Sequence, residues 1–192
     1  MKKRTLVPLL AVAAALAAAG TATAVAADRS RGPETEQVAA VFSFAPVKLK
    51  QRQCLGQDGP YLEIKAKYRG SVTGDARVAG AIEVEAHHLI DAAEGLGTSE
   101  GTFSIREAGT DELKARGRFY GVFTELVNFH GFAVGKIVGE GTWLAHFGSV
   151  VDPATGSVAG QFGGVGDPRT PSVVQRGTCT GRWETIVGGS SR

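Results

Sequence analysis

His87 and His88 sit side by side in a stretch, Val78 to Leu89, that also carries Glu83 and Glu85. A strand sends successive side chains to opposite faces. Glu83, Glu85 and His87 therefore share one side, while His88 joins Val78, Ile82, Val84 and Ala86 on the other. Carboxylates and an imidazole at alternate positions can converge on a metal ion. The preceding stretch, Tyr61 to Val72, presents Glu63, Lys65 and Lys67 on a matching face, opposite Leu62, Ile64, Ala66 and Tyr68. Carboxylates facing lysines across a strand pair read more simply as salt pairs on a solvated face. No metal site and no cofactor are assigned, and His87 and His88 point too far apart to share an ion. His88, on an apolar face, is either a hydrogen-bonded core histidine or a polar handle in a ligand cavity. Tyr68 is its expected neighbour.

Gly97-Thr98-Ser99-Glu100-Gly101 has the spelling of a nucleophile elbow. The elbow needs a strand before the serine and a helix after it. Here a turn-like run, Asp91 to Ser99, leads in and a strand-like run, Thr102 to Arg106, leads out. His130 and His146 lie downstream, but the context is that of a β-turn loop, and no catalytic residue is assigned. Gly95 and Gly97 lack the helix N-terminus that a phosphate-binding loop requires.

These residues follow an N-terminus with the marks of an export signal. Met1-Lys2-Lys3-Arg4 is basic, Thr5 to Gly20 is apolar, and Thr-Ala-Thr-Ala-Val-Ala-Ala supplies small residues for cleavage. A signal peptide over 1–27, a flexible leader over 28–40 and a single domain over 41–192 are expected, with secretion as the destination. Cleavage lowers the basic residues from 21 to 18 against 19 acidic ones, and the net charge from +2 to −1. That balance argues against a nucleic-acid partner. No later apolar run reaches the ~18 residues of a membrane helix. In an exported chain, Cys54 and Cys179 read as a disulfide. There is no Cys-x-x-Cys, and the histidines lack zinc-finger spacing.

The elements that must position these residues are strands. Gly-x-aromatic recurs at Gly101–Phe103, Gly117–Phe119, Gly121–Phe123, Gly141–Trp143, Gly160–Phe162 and Gly181–Trp183. Residues i and i+2 share a strand face, so each glycine leaves room beside a ring, as in the tapering interior of a small barrel. The expected strands are Val38–Val47 (interrupted by Pro46), Tyr61–Val72, Val78–Leu89, Thr102–Arg106, Leu113–Val127, Phe129–Val138, Thr142–Val151, Ser157–Phe162 and Thr178–Val187. Cys54 to Pro60 and Gly163 to Gly177 are connections. The fold class is all-β: an antiparallel barrel of about eight strands closed by one disulfide. Its inward rings would be Phe103, Phe119, Phe123, Trp143, Phe147, Phe162 and Trp183. They either fill the barrel or line an apolar pocket, since eight strands enclose only enough space for side chains or one small ligand. Phe129 to Val138 is apolar on both faces, which points to cover by the N-terminal strand or by a second copy.

Arg69-Gly-Ser-Val-Thr-Gly-Asp-Ala-Arg-Val-Ala-Gly80 and Asp91-Ala-Ala-Glu-Gly-Leu-Gly-Thr98, with an early and a late cysteine, resemble a family of secreted bacterial β-barrel proteins of no established activity. The resemblance covers Cys54 to Trp183. At fold level the strand order is similar to allene-oxide-cyclase, dirigent and calycin barrels. It implies no catalytic residue. The expectation is a secreted, non-enzymatic barrel that binds a small apolar molecule through Tyr68, His88, Phe119, Phe123, Trp143, Phe162 and Trp183. Its rivals are a cyclase or isomerase using His88 as its acid or base, and a homo-oligomeric or partner-binding module.

Overall fold

Alternation of apolar and polar side chains carries through to nine strands among the described residues: β1 (Ala40–Leu55), β2 (Pro60–Gly74), β3 (Gly80–Asp91), β4 (Gly97–Arg106), β5 (Leu113–Thr124), β6 (Asn128–Ile137), β7 (Gly141–Val151), β8 (Val158–Phe162) and β9 (Glu184–Val187). The computed structural model describes residues 37–56, 59–163, 179 and 181–188. The expected signal peptide, most of the leader and the Gly/Pro-rich connection lie outside the described residues. Neighbouring strands from β1 to β8 pair antiparallel in sequence order, and β8 returns to β1 through Ala40↔Phe162 to Phe44↔Val158. Since β1 also pairs with β2, the sheet closes into an eight-stranded antiparallel barrel. No described residue is helical.

Reciprocal packing explains the recurrent Gly-x-aromatic spelling. On β4 and β5, Gly101 faces Phe119 while Phe103 faces Gly117. A Cβ on Gly101 would lie 2.6 Å from the Phe119 ring, and one on Gly117 would lie 2.5 Å from Phe103. Gly135 stands in the same relation to Trp143 on β7. Antiparallel pairing of two such strands thus sets each ring over the other strand's glycine, which is how a narrow lumen accepts so many large side chains. Phe103, Phe119, Phe123, Trp143, Phe147 and Phe162 all point inward and are buried. Phe42 and Phe129 join them. Phe123 stacks on Phe129 with centroids 4.8 Å apart, and Phe42 lies 4.7 Å from Phe162. The space left among these rings is about 40 Å³.

β1 is longer than the spacing predicts. It runs through Pro46 to Leu55, and Cys54 lies within it instead of in a connection. Proline is tolerated because β8 stops at Phe44 and β9 begins only at Leu49, so no strand needs the missing N–H on that edge. Pro46 pairs with Tyr68 but Lys48 with Lys67, leaving Val47 as a bulged extra residue. The bulge reverses the side-chain parity of β1. Phe42 and Phe44 belong to the interior before it. After it Leu49 packs on the core, and Lys48, Lys50 and Arg52 face outward with their β2 partners. Val38 and Ala40, assigned to the leader, are buried with the core.

Three further expectations are corrected. β4 starts at Gly97, so the Gly97–Gly101 segment is strand and not a turn; its pairing with β3 continues to Gly97↔Ile90. β5 ends at Thr124, because Glu125 and Leu126 turn through left-handed conformations (φ 60° and 63°) tied down by a hydrogen bond from Leu126 N–H to Gly95 O. The last strand is only Glu184–Val187, and Cys179 lies before it, outside any strand.

The resemblance motifs resolve into turn chemistry. Asp75 accepts hydrogen bonds from the Arg77 backbone N–H and guanidinium, and Arg77 Nη2 donates to Gln37 O. At Asp91–Gly95 and Asp152–Gly156 the aspartate accepts from the N–H two residues on. The fifth position is a glycine at φ 70°, where a side chain would be strained. The Cys54–Cys179 disulfide spans 125 residues. In the chain-entropy model a loop of that length stabilises the fold by about 5 kcal/mol.

The packing of the lumen can be checked at two glycines. A Cβ on Gly121 would lie 2.4 Å from Phe129 on β6, whereas nothing lies within 4 Å of one on Gly148. The obstacle is thus the ring on the adjacent strand, not Phe119 or Phe123 on β5 itself. Gly121→Val is expected to cost about 1–3 kcal/mol by overpacking, and Gly148→Val to leave the melting temperature nearly unchanged. Equal melting of the two variants would contradict this arrangement.

Candidate functional site

Three groups of polar side chains stand apart from ordinary strand chemistry. The first is inside the barrel. Tyr68 Oη and His88 Nε2 lie 3.3 Å apart, both buried, and the His88 ring meets Phe123 edge-on at 5.3 Å. Ser99 is paired with His88 across β3 and β4 and is also buried. His88 Nδ1, Ser99 Oγ and Trp143 Nε1 reach no hydrogen-bond partner among the described residues. By contrast, the buried Ser149 hydroxyl donates to Phe129 O at 2.8 Å. Burial first, and the neighbouring His87 second, hold His88 down at about 3, while burial pushes Tyr68 up to about 12. Both are neutral at pH 7. A proton shuttle works best with a pKa near the operating pH, and neither group has one. His130 and His146 are on the outer wall, far in parity from Ser99: their β5 and β6 partners, Val122 and Phe132, are the outward residues.

The second group surrounds the disulfide, outside the barrel. Glu63, expected on a solvated face, is instead buried, with 7% of its surface exposed. It accepts hydrogen bonds from Arg52 Nε at 2.5 Å and His87 Nε2 at 2.8 Å, and lies 4.0 Å from Cys54 Sγ. Burial would raise its pKa, but the bonds and charges of Arg52 and His87 outweigh burial and hold it below the ordinary value. Trp183 covers this region from outside. Its ring lies 4.6 Å from the Arg52 guanidinium carbon and 4.8 Å from Lys65 Nζ. It is therefore not an inward ring: β9 runs along the outer end of β1, and its approach carries Trp183 onto cations instead of into the lumen. Among the described residues, the one grouping compact enough for a metal is Cys54, Cys179 and Glu63. Its two sulfurs are bonded to each other, whereas a cysteine ligates as thiolate.

The third group is a groove of about 620 Å³ on the outer wall across β1 to β5. The expected ladder of salt pairs is present along part of it. Lys67 pairs with Glu85, and Arg69 Nε donates to Glu83 at 2.8 Å. The ladder fails at β1. Lys48 stands directly opposite Lys67, and Lys50 directly opposite Lys65. Like charges in these positions are unfavourable by roughly 0.2–1 kcal/mol per pair. Lys48, Lys50 and Arg118 have no carboxylate partner among the described residues. Sequence reading missed this cluster, because the Val47 bulge decides which face Lys48 and Lys50 occupy.

Comparison with protein-family models, with curated proteins and with solved structures finds no match to the chain.

Titration tests the lumen. Unfolded, His88 binds a proton near 6.5; folded, it does so only near 3. Between these values the unfolded chain holds one proton more. Stability therefore falls as the pH is lowered through this window, by at most about 1.4 kcal/mol per pH unit. The Glu63 contribution has the usual carboxylate sign: complete above 4.5, it is lost as the pH falls through its lower folded value. Urea midpoints measured from pH 7 to pH 4 are expected to decline, and His88→Gln to flatten the decline between 6.5 and 4.5. An unchanged slope would assign the loss to other groups.

Proposed function

We propose that the protein is an exported, non-enzymatic binding module that works with the outer wall of its barrel. The observation that carries this reading is the close packing of rings in the lumen among the described residues. Only about 40 Å³ is left among the rings, room for one or two waters, whereas pockets that hold small organic ligands measure roughly 300–1,000 Å³. Tyr68, His88, Phe119, Phe123, Trp143 and Phe162 serve this module as its packed interior, with Trp183 outside. Burial holds His88 down at about 3 and pushes Tyr68 up to about 12, so both are poorly matched to proton transfer at pH 7, which supports the non-enzymatic reading over a cyclase. Export is supported by the basic, apolar, small-residue order of residues 1–27 and by the paired cysteines.

Native mass spectrometry of the exported protein tests this reading. The expected species starts near Asp28, weighs two hydrogens less than its reduced form and carries no apolar adduct, even after incubation with a long-chain fatty acid. A stoichiometric apolar mass that survives dilution would move the binding site into the lumen and overturn the proposal.

A specific observation favours self-association as a second reading. Tyr120, Phe132, Val134 and Leu144 are exposed side by side on the outer face of β5, β6 and β7. Among the described residues, β1 does not cover β6, so the doubly apolar strand keeps one open face. An isologous dimer through this face would bury it. Light scattering behind size exclusion is expected to give twice the chain mass, and Phe132→Glu to halve it. A monomer in the parent protein at high micromolar concentration would rule the dimer out.

A further inference from the structure

We infer that the β1–β5 groove is a binding site for an acidic glycan, a chain of sugars carrying carboxylates. The inference rests on the outer-wall reading and names its ligand class. Its basis is the combination of a concave surface with a charge pattern that the fold itself does not favour. Four lysines form two directly opposed pairs, Lys48 with Lys67 and Lys50 with Lys65. Only Lys67 has a carboxylate partner, Glu85. A polyanion laid over the remaining ammonium groups relieves their mutual repulsion, so part of its affinity is stored in the free protein.

The rest of the groove selects among polyanions. It crosses five strands, which at the usual inter-strand spacing is roughly 19 Å. The lysines lie at the β1–β2 end and Arg118 at the β5 end. Between them stand Glu85, His87, Glu100 and Thr102, with His87 turned to Glu63. A nucleic acid, with a phosphate at every step, would set negative charge against those two carboxylates. Its bases would find a single ring in the lining, Tyr120 at the β5 end, tilted against Phe132 at 5.6 Å, while Trp183 is engaged by Arg52 and Lys65. A glycan instead alternates charged groups with hydroxyls. Its carboxylates suit the cationic ends, and its hydroxyls can donate to Glu85 and Glu100 in the middle.

The experiment is calorimetry of the exported, disulfide-bonded protein with three probes: oligogalacturonate, neutral dextran and a single-stranded DNA oligonucleotide. Binding to oligogalacturonate is expected, weakening at least tenfold between 50 and 300 mM NaCl. Dextran is expected not to bind, and the DNA to bind at least tenfold more weakly. The Lys48→Gln/Lys50→Gln double variant should lose at least tenfold in affinity, while Lys136→Gln, on the exposed face of β6, should not. The double variant should also melt no lower than the parent, because it removes two like-charge contacts. Loss of binding then cannot be laid to unfolding. Equal binding of DNA, unchanged affinity in the double variant, or no binding of oligogalacturonate would each overturn the inference. The outer-wall reading fails separately, through an apolar mass held in the lumen.

Discussion

Everything in this barrel depends on how a narrow lumen accommodates its aromatic rings. Eight strands enclose little more than the volume of their own inward side chains. A ring on every inward position would not fit, and small residues throughout would leave voids that cost stability. Placing Gly101 under Phe119, Gly117 under Phe103 and Gly135 under Trp143 solves both problems. Each pair has the volume of about one ring. The β4–β5 pairs also favour the register, because sliding by two residues would set Phe103 against Phe119 in one direction and Gly101 against Gly117 in the other. The cost falls on the polar atoms caught in this apolar packing, His88 Nδ1, Ser99 Oγ and Trp143 Nε1, which find no partner among the described residues.

A filled interior moves attention to the wall, and there β1 is decisive. It is the closing strand, sharing its edges among β2, β8 and β9. One bulged residue, Val47, lets it serve two environments. Before the bulge it contributes Phe42 and Phe44 to the lumen. After the bulge it turns Lys48, Lys50, Arg52 and Cys54 to the outer face. That change of parity joins the cationic groove to the disulfide cluster on one side of the molecule. Arg52 both neutralises Glu63 and supports Trp183, so the covalent bridge, the buried carboxylate and the edge of the groove form one connected patch. β9 completes it by covering the part of the β1 edge that the five-residue β8 leaves open.

Much of this was legible in the residues. The all-β class, the inward face of Phe103, Phe119, Phe123, Trp143, Phe147 and Phe162, the Cys54–Cys179 bridge and the Tyr68–His88 contact all follow from strand alternation or cysteine count. What misled was local context. Pro46 suggested an early end to β1, because sequence does not reveal that the strand's other edge is unpaired there. The glycines at 95, 97 and 101 suggested a loop, because pairing with β3 is a long-range fact. Trp183 follows a glycine like the inward rings, yet it stands outside, where two cations meet its face.

Alternation of side chains is a local property, enforced by the two-residue repeat of an extended backbone, so the sequence alone determined that the chain is built of strands and, within most of them, which face is apolar. Register and parity across strands are not local. They depend on where β8 ends, where Val47 bulges and which strand lies alongside, and only the closed barrel settles these together. The tertiary structure therefore decided that Glu63 is buried, that Ser99 faces His88, and that four lysines meet in opposed pairs on the outer wall.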